Sequence, residues 1–197
     1  MGQSVLETIP SPGSPPQEPQ QPPNKVLDVN LIGVYYTMSL TLHYFSQANG
    51  SVPKKQLVFF SSILTYTPAP LQSVYVASKA GVRALFKSLR DGAYALPYLR
   101  TNLIAPTLTR TPMTEPFCDF LASKGFAVSK IEDVVQAVMR ILCDEEIEGR
   151  AVGTLPGGAV DLCDDFEGFD AGQMALEMVH MGMLGEGPQK LGMFKFD

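Results

Sequence analysis

The chain has 197 residues, 45% hydrophobic and 18% charged, with a net charge of −5. That length supports one domain with a buried core, and the acidic balance leaves no basic excess for nucleic acid or an anionic membrane surface. No apolar run reaches membrane-spanning length.

Residues 1–23 are rich in Pro and Gln and carry little to bury. Such a segment cannot offset its own ordering entropy and is expected to be disordered. It opens Met-Gly-Gln-Ser, but Leu6 stands where an N-myristoylation signal needs Ser or Thr. The absence of an apolar signal core points to the cytoplasm.

From residue 24 to about residue 48 the spacing predicts a long helix. Leu27, Leu31, Val34, Met38, Leu42 and Phe45 form its apolar stripe. Asn30 falls inside that stripe, and a buried amide needs hydrogen-bond partners. On the residues alone it is either a satisfied core side chain or part of a site. Asn49-Gly50 supplies a left-handed-tolerant stop.

A short apolar strand, Leu57 to Ser61, ends on two hydroxyls, Ser61 and Ser62. After a loop through Pro68 and Pro70, a second helix runs from Ser73 to about Ala95, with Tyr75, Lys79, Val82, Phe86 and Leu89 on one stripe. Tyr75 and Lys79 are four apart, so phenol and ammonium share a face. A cation beside a phenol favours the phenolate, which turns a weak acid into a proton donor and acceptor near neutral pH.

Leu99 to Ala105 reads as the next strand, broken by Pro106. Residues Pro112 to Gly125 contain Met113, Phe117 and Phe120, which core packing would explain. Ser129-Lys130-Ile131-Glu132 has the form of a capping box. The helix it opens carries Ile131, Val134, Val135, Val138, Ile141 and Leu142 as its stripe. Arg150 to Leu155 reads as the last strand, stopped by Pro156-Gly157-Gly158. Residues 161–197 form an acidic, then Met-rich extension, with Met174, Met178 and Met181 at helical spacing. Cys118, Cys143 and Cys163 show no metal-ligand or disulfide spacing, and His43 and His180 have no ligand company, so no metal site is expected. Strands alternating with helices imply an α/β fold with a doubly wound parallel sheet.

The stretch from the strand at 57 through Gly81 resembles the active-site segment of the short-chain dehydrogenase/reductase family. In that family a serine ends a central strand thirteen residues before the tyrosine of a Tyr-x-x-x-Lys motif. Ser62, Tyr75 and Lys79 match, and Ala80-Gly81 follow as expected. Val29-Asn30-Leu31 matches the context of the family's helical asparagine, and Pro106 to Thr111 matches Pro-Gly-x-x-x-Thr except that Thr107 replaces the glycine.

The resemblance covers residues 24 to about 160, the catalytic part of a Rossmann-like domain. It implies an oxidoreductase that interconverts a secondary alcohol and a ketone with NAD or NADP, which the sequence cannot distinguish. It further implies that Tyr75 exchanges the proton, Ser62 holds the substrate oxygen and Lys79 binds the nicotinamide ribose. Asn30 would support a relay water, and Thr111 would grip the carboxamide. A small alcohol or ketone, apolar or aromatic, is the implied substrate. A homo-oligomer through helices 24–48 and 73–95 is the implied assembly.

Residues 112–125 and the tail look most like the subgroup around 15-hydroxyprostaglandin dehydrogenase and the alcohol dehydrogenases of fungal aromatic-polyketide pathways. The family's Gly-rich strand-turn-helix has no counterpart here: neither Gly-x-x-x-Gly-x-Gly nor Gly-x-Gly-x-x-Gly occurs. The expectation is therefore a partial Rossmann-like sheet, read as a truncated form of a complete enzyme. The alternative is a non-catalytic fragment that pairs with a full-length relative.

Overall fold

A computed structural model of the chain describes residues 21–47, 54–67, 72–91 and 96–164, with Gly13, Glu18 and Ala69 besides. Most of the Pro/Gln-rich segment 1–23 and of the extension 161–197, with its Met174-Met178-Met181 stripe, lies outside the described residues. So do Asn49-Gly50, Pro68, Pro70 and residues 92–95. Among the described residues no helix is long and apolar enough to cross a membrane.

The first helix, α1, is continuous from residue 25 to residue 46 but not uniform: Lys25–Leu27 and Gly33–Ser46 are α-helical, and Asp28–Ile32 between them is a π turn. The Gly33 amide donates to the Asp28 carbonyl, the i→i+5 bond that defines such a turn. A regular helix was expected here, so the π turn is a departure, and Asn30 stands at its centre. All six residues of the expected stripe are half-buried, while Tyr36, Leu40 and Tyr44 lie exposed on the other side.

Three parallel strands follow: β1 (Lys55–Phe60), β2 (Leu99–Pro106) and β3 (Ala151–Leu155). β1 begins two residues before the apolar run, and Pro106 is the last residue of β2 rather than a break before it. β3 is not the last strand. Pro156-Gly157 turns the chain, with Gly157 at φ 81°, into β4 (Gly158–Asp161), which pairs antiparallel with β3. Proline followed by a positive-φ glycine is the pattern of a type II turn, so residues expected to stop the sheet instead make its hairpin. The sheet order is β1-β2-β3-β4.

Side chains alternate across this sheet, so each strand feeds two cores. On one face Phe59, Leu103, Ala105 and Ala151 meet Val82 and Phe86 of α2 (Ser73–Asp91), with Leu31, Val34 and Met38 of α1 packed alongside. The Phe59 and Phe86 rings lie 6.2 Å apart at 56°, a tilted pair. On the other face Ile104, Val58 and Val152 meet Ala137 and Ile141 of α4 (Ile131–Cys143). β1, β2 and β3 step in one direction, yet the two crossovers pass over opposite faces. Their hands are therefore opposite, and one departs from the usual right hand.

Two local expectations need correction. The apolar arc of α4 is wider than the surface the sheet offers: Val134, Ala137, Val138 and Ile141 pack inward, while Ile131, Val135 and Leu142 are exposed together with Met139. The capping box is also built differently. Ser129 is fully buried with its hydroxyl on Thr107, and the Asp133 carboxylate takes the cap by accepting from the Lys130 amide at 2.8 Å. That carboxylate also accepts from the Gly157 amide at 3.1 Å, tying the helix start to the β3–β4 turn.

Candidate active site

The C-terminal ends of β1 and β2 are where chemistry-bearing residues gather, the rim at which open α/β sheets bind ligands. β1 leaves the sheet with the Ser61 amide still bonded to the Ile104 carbonyl at 2.9 Å. The two serines then take different work. The Ser61 hydroxyl donates to the Lys79 carbonyl at 3.0 Å and lies 3.4 Å from the Thr65 hydroxyl, so it ties the strand end to α2.

Ser62 is buried and caps the short 3-10 turn Ile63–Thr65. Its hydroxyl oxygen accepts from the Leu64 amide at 3.3 Å, and its carbonyl accepts from the Thr65 amide and hydroxyl at 3.0 and 2.8 Å. An oxygen held as an acceptor keeps its own proton to donate. Arg83 braces the same turn, its guanidinium 3.8 Å over the Tyr66 ring and donating to the Thr65 carbonyl at 3.3 Å.

α2 presents Tyr75 and Lys79 half-buried, one turn apart. Lys79 Nζ donates to the Phe60 carbonyl at 3.0 Å, the last carbonyl of β1. Burial holds the Lys79 ammonium below its ordinary pKa of 10.5. Between the two stands Ser78, fully buried, whose hydroxyl donates to the Tyr75 carbonyl at 2.6 Å and accepts from Asn30 Nδ2 at 3.2 Å. Asn30 thus reaches the Tyr75–Lys79 turn through Ser78. Single π turns inside α-helices are frequent at functional sites. Ser78 was not singled out from the sequence. Its signal was a hydroxyl residue on the buried side of α2, directly before the lysine.

Gly81 permits this closeness. A Cβ there would stand 2.7 Å from Leu31 Cδ1, so α1 meets α2 at the residue next to Asn30. Asn30 is joined through Ser78 to the backbone of the Tyr75–Lys79 turn, and Lys79 is joined to the end of β1, where Ser61 and Ser62 follow; Tyr75 enters this set by its carbonyl and Ser62 by its place in the chain.

Thr111 belongs to a second group, beyond β2. Its amide donates to the Thr114 hydroxyl at 2.9 Å, and the two hydroxyls lie 3.0 Å apart. The segment that follows holds α3 (Glu115–Ser123), which buries Cys118 and exposes Phe117 and Phe120; their rings are stacked at 6.4 Å. Met113 is 86% exposed, so the core reading of these apolar residues does not hold. One cleft of about 500 Å³ lies at the start of α4 and another of about 470 Å³ lies between α4 and β3–β4; neither includes Ser62, Tyr75 or Lys79. Among the described residues no cluster of three or more His, Cys, Asp or Glu could hold a metal ion.

Comparison with known proteins places this arrangement. The sequence profile described as short chain dehydrogenase matches residues 14–121, more than half of the chain. An NADP-dependent dehydrogenase of Phoma sp. is 36% identical over 185 residues, 85% of this chain and 55% of the relative. A 5'-hydroxyaverantin dehydrogenase of Dothistroma septosporum is 39% identical over 155 residues, 74% of this chain and 50% of the relative. Among solved structures, 3-hydroxyacyl-CoA dehydrogenase type-2 from Mycobacterium avium superposes with a TM-score of 0.57 at 26% identity, over 66% of this chain and 53% of its own. The chain thus spans about half the length of the curated relatives it matches. The profile match, the parallel sheet and the Ser-Tyr-Lys segment agree: the chain belongs to the short-chain dehydrogenase family.

Proposed function

We propose that this chain carries the catalytic part of an NAD(P)-dependent oxidoreductase that interconverts a secondary alcohol and a ketone. The observation that carries this reading is the bond from Lys79 Nζ to the Phe60 carbonyl. It holds the lysine at the end of the strand that leads into Ser62, one helical turn from Tyr75. In this reading Ser62 donates its free proton to the substrate oxygen, in the manner of an oxyanion-hole donor. Tyr75 gives or takes the proton at that same oxygen. Lys79 keeps two ammonium protons beyond the one on Phe60, enough for the two hydroxyls of a ribose. Asn30 supports a water that resupplies the proton, and Thr111 holds a carboxamide.

These residues fit the nicotinamide end of a dinucleotide, whereas the sequence has no glycine-rich turn for the pyrophosphate. The cofactor supplies the hydride when bound. The exposed Met113, Phe117 and Phe120 next to Thr111 favour an apolar or aromatic substrate. That agrees with the name of the Dothistroma relative and with the expected likeness to alcohol dehydrogenases of fungal polyketide pathways. A cytoplasmic setting and a homo-oligomer complete the reading.

A second reading has its own support: among the described residues β1 is paired only with β2, leaving one sheet edge open. On that reading the chain is a non-catalytic partner of a full-length relative. Titration with NADH and NADPH, followed by energy transfer from the tyrosines to the nicotinamide, separates the two. Saturable binding supports the oxidoreductase, and no binding at millimolar cofactor supports the partner. In a preparation that turns over, Tyr75→Phe is expected to lower kcat by at least about 10²-fold, the contribution of a positioned acid–base group. Unchanged turnover in that variant would remove Tyr75 from the mechanism.

A further inference from the structure

The loop after β2 departs from its family at Thr107, where a glycine was expected, and the structure shows what the Thr107 side chain meets. Ser129, fully buried just ahead of α4, is joined to this loop at every turn of its backbone. The Ser129 hydroxyl lies 2.8 Å from the Thr107 hydroxyl. The Ser129 amide donates to the Leu108 carbonyl at 3.2 Å, and the Ser129 carbonyl accepts from the Arg110 amide at 2.9 Å. Thr109 and Ser129 form a parallel bridge.

On the inner side the Thr107 amide donates to the Thr154 carbonyl of β3 at 3.1 Å. Downstream, the Thr114 hydroxyl donates to the Thr109 carbonyl at 2.6 Å and accepts from the Thr111 amide. The loop is therefore a small strand-like addition beside residue 129, and Thr111 is its last residue.

Backbone bonds of this kind form wherever two extended segments meet; the hydroxyl pair sets the register. A glycine at 107 would offer no side chain to Ser129 and would leave the Ser129 hydroxyl, which is fully buried, without this partner. We infer that Ser129, through its hydroxyl bond with Thr107, is a positioning residue that fixes the path of the loop and hence the place of Thr111. This rests on the cofactor reading of Thr111 for its functional meaning, but not for its structural content.

Hydrogen exchange on the full chain tests it directly. Ser129→Ala and Thr107→Val are each expected to raise exchange at the amides of Thr107, Arg110 and Thr111 about tenfold, the loss equivalent to one net hydrogen bond. The amides of β1 and α2 should keep their rates. Thr107→Ser, which restores a hydroxyl without the methyl, should return the loop to parental exchange, and combining Ser129→Ala with Thr107→Val should add little to either alone. A shape effect without the hydroxyl bond would instead leave Thr107→Val protected and Thr107→Ser loosened, which overturns the proposal, as does unchanged exchange in both single variants.

With cofactor, Ser129→Ala is expected to weaken nicotinamide binding about tenfold while kcat at saturation stays within about twofold. If the parental chain binds no cofactor, Thr111's role falls, and the exchange data then decide the hydroxyl bond by themselves.

Discussion

Lys79 shows how one side chain serves two masters. Its ammonium is held by a backbone carbonyl and partly withdrawn from water, so burial lowers its pKa. In the unfolded chain the same group titrates near its ordinary value, so between the lowered pKa and 10.5 the unfolded state binds more protons. Stability must then rise as pH climbs through that window, and the burial penalty is fully present below it. Urea unfolding of the parental chain and of Lys79→Met, compared from about pH 7 to about pH 10.5, should show the parental chain gaining relative to the variant as pH rises. Parallel curves would mean that the ammonium is not penalised in the folded state. At the same scale Ser61 and Ser62 divide their labour: one hydroxyl is consumed in joining β1 to α2, and the other keeps its proton.

Between elements, the α1–α2 contact is the joint on which the candidate site depends. Gly81 lets Leu31 come within a distance that any Cβ would obstruct, and Leu31 follows Asn30 inside the π turn. Gly81→Ala is expected to cost about 1 kcal/mol, since the added methyl meets the movable end of the Leu31 side chain and alanine has the better helix propensity. Adding Leu31→Ala should recover part of that loss, a coupling that a double-mutant cycle measures. Strict additivity would show that the two helices do not meet there. The Asn30–Ser78 bond gives the contact a functional side, since moving α1 moves Asn30 away from the Tyr75–Lys79 turn.

For the molecule as a whole, the open faces matter as much as the packed ones. Tyr36, Leu40 and Tyr44 are 62%, 59% and 65% exposed at successive helical turns of α1. Aromatic and leucine stripes of this kind are what helix-to-helix association uses. If the proposed homo-oligomer forms through α1 and α2, Leu40→Glu should weaken it at least about tenfold in analytical ultracentrifugation, with the far-UV circular dichroism unchanged. An identical sedimentation profile for both proteins would move the contact elsewhere.

The fold's type and the order of its three parallel strands and longest helices were legible in the sequence because hydrophobic period and turn chemistry are local. The stripe of α1 and the apolar run of β1 needed no partner to be recognised. Tyr75 and Lys79 share a face by their spacing of four, while Ser62 was picked out by its likeness to the family's motif. What local pattern could not show was anything set by a neighbour across the sheet. Ile131, Val135 and Leu142 look like core in sequence, yet they face outward because only part of the arc of α4 meets β2 and β3. Ser129 looked like a helix cap until Thr107 claimed its hydroxyl, and Pro156-Gly157 looked like a stop until β4 folded back on β3. Ser78 showed only a hydroxyl on the buried side of α2, and its partner Asn30 comes from forty-eight residues away. Backbone periodicity is written residue by residue, so the sequence alone determined the parallel strands, the longest helices and the apolar arc of each. Competition among polar groups for buried partners is settled only when distant segments meet, and that left the π turn, the bonds of Asn30 and the path of the Thr111 loop to the tertiary structure.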